Sequence, residues 1–92
     1  MVATTCYYRV RIYVGPVHLA HYATVAHEAG LTNVWVGTEH VYGTYAAPPC
    51  LDETDRLLLR QRIGHLIYPA AATAYRDVSL LELAEHAIYR TT

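Results

Sequence analysis

The sequence predicts a small single-domain α+β protein spanning residues 1–92, with a three-stranded sheet, helices packed on one face and a helical C-terminal extension. Three observations lead there. The chain has 92 residues, of which 53% are hydrophobic and 16% charged, which suits one compact core and leaves too little chain for a second domain. An early segment alternates apolar and polar side chains with period two, and later segments repeat apolar residues at helical spacing. Between them lies a run of β-branched and aromatic residues.

From Cys6 to Val14 the alternation places Cys6, Tyr8, Val10, Ile12 and Val14 on one side and Tyr7, Arg9, Arg11 and Tyr13 on the other, the pattern of a half-buried strand. Gly15-Pro16 ends it, and Pro16 suits the first turn of a helix because its missing N–H would be unpaired there anyway. Over 17–29, Leu19, Tyr22, Ala23, Ala26 and Ala29 share one helical face, and Gly30 supplies the stop. The β-rich run then divides at Gly37-Thr38 into strands near 33–36 and 39–45, with one long bulged strand as the competing pattern. After Pro48-Pro49, Asp52 or Thr54 caps a second helix whose inward stripe is Leu59, Ile63 and Leu66, and Pro69 ends it. Leu57 and Leu58 make that helix apolar on a second side. Ala70, Ala71, Ala72 and Ala74 suggest a short helix or close-packed connection. Ser79 with Glu82 three residues later reads as a capping box for a final helix carrying Leu80, Leu83, Ala84, Ala87 and Ile88 on one side and Glu82, Glu85, His86 and Tyr89 on the other.

This β-α-β-β-α-α order resembles half of a ferredoxin-like architecture followed by a helical extension. The resemblance concerns element order and implies no activity. The composition, with no lysine and no phenylalanine, resembles the codon bias of a GC-rich genome and the accessory proteins of phages and mobile elements.

A formal charge of −1 argues against a partner held by bulk positive charge, such as an anionic membrane or non-specifically bound nucleic acid. The stretch Met1 to Cys6 has no signal-peptide pattern, and no run approaches the roughly 18 apolar residues of a membrane span. Cys6 and Cys50 lack metal-motif spacing and read as reduced thiols, so a soluble cytoplasmic protein is expected. Whether the two cysteines pair is left open by the sequence.

The residues that stand out are Tyr7, Arg9, Arg11 and Tyr13, joined by Trp35, Tyr42 and His40 if Val10, Ile12, Val34 and Val36 face the helices. Tyrosine, tryptophan and arginine dominate protein interfaces, so this face is expected to bind protein: a second copy in a homodimer first, a host or cellular protein second. An open-sheet binder of single-stranded nucleic acid is the alternative, with bases on the aromatics and phosphates on the arginines, although no RNP-type run accompanies them. A face covered by the chain's own C-terminal segment, or merely solvated, is the functionless alternative. A small metal-dependent enzyme built on His18 and His21, with His27, Glu28 or His40 as a further ligand, is a weaker pattern, for it lacks a third ligand at dependable spacing. Glu39-His40 makes a poor acid/base pair because strand neighbours point to opposite faces. No phosphate-cradling loop or nucleophile elbow is present, so the expectation is a non-enzymatic protein without a cofactor.

Overall fold

A computed structural model describes residues 5–70 and 73–83. In chain order the elements are β1 (Cys6–Tyr13), α1 (Leu19–Glu28), β2 (Thr32–Val36), β3 (His40–Ala47), α2 (Glu53–Ile67), a 3-10 turn (Ala74–Asp77) and β4 (Val78–Glu82). The strands lie in the order β2-β3-β1-β4, each antiparallel to its neighbour. β1 and β2 therefore run parallel with β3 between them. This order and connectivity is the full ferredoxin-like topology, two interleaved β-α-β units, where the sequence had suggested half of one.

The fourth strand corrects the expected three-stranded sheet. Val78 to Glu82 pairs with β1 over the register Tyr8↔Glu82 to Ile12↔Val78, so the Ser79–Glu82 capping pattern does not start a helix. The physical reason is long-range. β1 carries the buried Tyr8, Val10 and Ile12 and would otherwise leave a row of backbone N–H and C=O groups unpaired on that side. Arg60 fixes the approach to the strand, its Nε donating to the Val78 carbonyl at 2.8 Å and its Nη2 to the Tyr75 carbonyl at 3.2 Å. Residues 84–89 of the expected final helix, and Ala71 and Ala72 of the alanine segment, lie outside the described residues.

Both helices pack on the same side of the sheet, α1 over β2 and β3 and α2 towards β4. The core between the layers holds Val10, Ile12, Ala26, Leu31, Val41, Ile63 and Val78. Tyr8 is also fully buried, and its hydroxyl accepts the Leu51 N–H at 3.0 Å, the partner that a buried phenol requires. On β3 a glycine is needed: a Cβ at Gly43 would come within 2.9 Å of the Leu31 Cβ, where the chain leaving α1 drops onto the sheet. At the far end of α2, Tyr68 sits 5.7 Å from Tyr22, and burial with Tyr22 alongside pushes its phenol pKa up.

Several element boundaries differ from the sequence reading. α1 begins at Leu19, not at Pro16 or Val17, because His18 sits at φ 63° in the left-handed region and no side chain caps the helix. The hairpin reading holds for 33–45, with Gly37 N–H donating to the His40 carbonyl at 2.8 Å, but β2 carries its own irregularity between Thr32 and Trp35, where Asn33 has φ 50°. In α2 the buried stripe is Leu59, Ile63 and Ile67, each four residues from the next, and Leu66 is 45% exposed. Arg56, one turn into α2, reaches across to Glu82 at 3.4 Å.

Asp52 does cap α2. Its Oδ1 accepts the Asp55 N–H at 2.7 Å and its own N–H donates to Asp55 Oδ2 at 3.5 Å, a reciprocal capping box. Asp52→Ala is expected to cost about 1 kcal/mol of stability, measured by urea unfolding, while Thr54→Ala should be near neutral.

Cys6 and Cys50 form a disulfide with Cα atoms 4.9 Å apart. The expectation of two reduced thiols is corrected. Their positions explain the bond: Cys6 opens β1, and the chain returns beside it after Ala47, the Cα partner of Cys6 at the end of β3. Disulfides persist in oxidising surroundings, so the paired thiols no longer supply a ground for a cytoplasmic location. No described helix is long and apolar enough to cross a membrane.

Candidate functional site

The side of the sheet away from the helices is the candidate site, and strand registry fixes its membership. Tyr8, Val10, Ile12 and Val14 are buried beneath the helices, so Tyr7, Arg9, Arg11 and Tyr13 face the other way. Their cross-strand partners share that side: Tyr7 lies opposite Ala46, Arg9 opposite Thr44, Arg11 opposite Tyr42 and Tyr13 opposite His40. Trp35 lies opposite Tyr42 and completes the aromatic area from β2. All six residues singled out from the sequence, Tyr7, Arg9, Arg11, Tyr13, Trp35 and Tyr42, therefore occupy one face, with His40 among them.

Ring geometry divides the face into an aromatic end and a cationic middle. Trp35 and Tyr42 are stacked with centroids 3.9 Å apart and planes 9° from parallel, and Trp35 remains 53% exposed. Tyr13 meets His40 edge-on at 5.3 Å, and His40 lies 6.0 Å from Tyr42. The aromatic groups thus form one continuous patch running from β2 across β3 to the end of β1. Arg9 and Arg11 occupy the middle, on a central strand flanked by β3 and β4.

The sequence reading missed β4's contribution. Leu81 and Ser79 are the Cα partners of Arg9 and Arg11, so they stand on the open side, and Leu81 is 61% exposed. Alternation of Val78 and Leu80 inward with Ser79 outward was present in the sequence, but Leu81 interrupts the polar side of the pattern. Arg9, Arg11, Tyr42, Ser79, Leu80 and Leu81 line a trough of about 350 Å³.

Charge is distributed unevenly between the faces. Among the described residues no carboxylate occupies an open-side strand position: Asp52, Glu53 and Asp55 gather at the start of α2, Glu28 lies on α1, Glu39 in the hairpin turn and Asp77 in the 3-10 turn, while Glu82 turns inward to Arg56. The formal −1 of the chain is the sum of a cationic face, carrying Arg9 and Arg11, and a more acidic remainder.

No protein-family model matches this chain, and no curated protein or solved structure matches it either.

The histidine pattern does not assemble. His18 is exposed ahead of α1, His21 lies edge-on to Tyr22 at 5.3 Å, and His40 belongs to the open face beside Tyr13. Among the described residues no three His, Cys, Asp or Glu side chains converge as a metal site would require. A second hollow, of about 360 Å³, lies at the β4 edge beside Arg56 and Arg60. Arg60 is committed there to holding the Val78 and Tyr75 carbonyls, and Arg56 to Glu82 and the Tyr8 ring at 5.4 Å.

Proposed function

We propose that this chain is a small, non-enzymatic interaction protein that works by occupancy of the open face of its sheet. The observation behind this is the gathering of Tyr7, Arg9, Arg11, Tyr13, Trp35 and Tyr42 on a side that neither described helix covers. Rigid aromatic rings offer contact area at low entropic cost, and arginines orient a partner through fixed donors.

A protein partner is one class of occupant, and a second copy of the chain is its simplest member. Arg9 and Arg11, however, sit on a central strand. A two-fold axis over the middle of the face would bring both arginines of one copy against those of the other, with no carboxylate of the described face between them. A homodimer through this surface is therefore expected to be weak, and a partner that brings negative charge is better matched.

Light scattering should accordingly return the mass of one chain for both wild type and Trp35→Ala at micromolar concentration. A wild-type dimer that Trp35→Ala dissolves would reinstate self-association as the main occupant. Host-extract pull-downs with wild type, Trp35→Ala and Leu58→Ser, a control on the opposite side, test the face itself. Partners should be lost only with Trp35→Ala, and retention indifferent to both substitutions would remove the open face as the binding surface.

A further inference from the structure

We infer that the trough between β1, β3 and β4 holds a nucleotide unit of a single-stranded nucleic acid, its base stacked on Tyr42 and its phosphates on Arg9 and Arg11. This rests on the open face being the binding surface, and it names the partner of that face.

Strand order supplies the first support. Trp35, on β2, covers one side of the Tyr42 ring at 3.9 Å with near-parallel planes. The trough opens on the other side of Tyr42, towards β1 and β4. A planar base entering it becomes the third ring of an existing stack, and the Trp35 contact already holds Tyr42 upright for it. A volume of about 350 Å³ suits one such unit.

Charge supplies the second. Arg9 and Arg11 are two residues apart on one side of β1, so their Cα atoms stand about 7 Å from each other along the strand. That places two planar guanidinium forks beside the trough, suited to bidentate contacts with phosphate oxygens. No carboxylate lines the trough or occupies a described open-side strand position, so none stands beside it to repel a polyanion. Ser79 and Leu81 form the far wall and provide a hydroxyl and an apolar surface for a sugar or base edge. An acidic peptide would satisfy the arginines and leave the stacking position unused, which is why the nucleic acid is favoured.

Trp35 is the only tryptophan and lies within the stack, so its fluorescence reports on the site. Titration of the full chain with a single-stranded oligothymidylate is expected to give a saturable change in that signal. Two phosphate contacts on a single strand imply a shallow salt dependence, with log K falling against log salt at a slope of about −1.4. Arg9→Ala combined with Arg11→Ala, and separately Tyr42→Leu, should each weaken binding about tenfold or more, while Leu58→Ser should leave it unchanged. The wild-type salt slope keeps the test valid if a face variant fails to fold.

No signal change with oligothymidylate, a salt slope near zero, or equal binding of a polyglutamate peptide would each overturn the inference. Thymidine monophosphate binding as tightly as the oligomer would overturn its single-strand part. If the oligonucleotide fails to bind while Trp35→Ala still strips partners in the host pull-down, only the inference falls. If neither measurement responds, the binding face falls with it.

Discussion

Reduction of the Cys6–Cys50 bond is expected to lower the unfolding free energy by roughly 2–4 kcal/mol. The bond spans a sequence separation of 44, for which the loop-closure relation gives about 4 kcal/mol from restriction of the unfolded chain. Small domains are stable by only about 5–15 kcal/mol, so the bond accounts for a large share. Its surroundings add to the effect. Leu51, the residue after Cys50, donates its N–H to the hydroxyl of Tyr8, two residues after Cys6. A connection released from the start of β1 would expose that hydrogen bond to competition from water. Urea unfolding of the oxidised chain, the reduced chain and a Cys6→Ser/Cys50→Ser variant should give the highest midpoint to the first and similar, lower midpoints to the other two. Coincident midpoints for all three would show that the bond contributes nothing to stability.

Ile63→Ala should destabilise the fold by roughly 2–5 kcal/mol, whereas Leu66→Ala should cost less than about 1 kcal/mol. Ile63 is fully buried at the centre of the Leu59–Ile63–Ile67 stripe, facing the sheet between the two layers. Truncation there removes apolar contacts and leaves a void that packed neighbours cannot fill completely. Leu66 lies off that stripe and keeps much of its surface in water. The comparison tests the orientation of α2 directly, because a helix rotated to bury Leu66 would reverse the ranking. Equal losses for the two variants would reject the packing described.

The legible parts of the fold were those whose signal is local. Strict alternation in β1 assigned Tyr8, Val10 and Ile12 to the interior and Tyr7, Arg9, Arg11 and Tyr13 to the other side, and the structure places them so. What escaped was decided by contacts between distant segments. Residues 78–82 carry an acceptable helix start, and only the need to pair the outer side of β1 makes them a strand. In α2, leucines at 57, 58, 59 and 66 and isoleucines at 63 and 67 allow more than one inward stripe, and packing against the sheet selects the four-residue spacing. The candidate face was legible as far as β1, Trp35 and Tyr42. Its fourth wall was not, since Ser79 and Leu81 join it only through β4.

The position of β4 has a consequence for how the protein is made. β1 leaves the ribosome well ahead of β4, so one of its two partners is completed only when Glu82 has been added. At about 5–20 residues per second, the interval between Tyr13 and Glu82 lasts roughly 3–14 s. During that time β1 can zip to β3 and the helices can settle, but its other edge stays open to any extended strand nearby. The nascent chain must therefore carry the strand that supplies Tyr8, Val10 and Ile12 to the core half-paired until Val78 to Glu82 arrives and seals it.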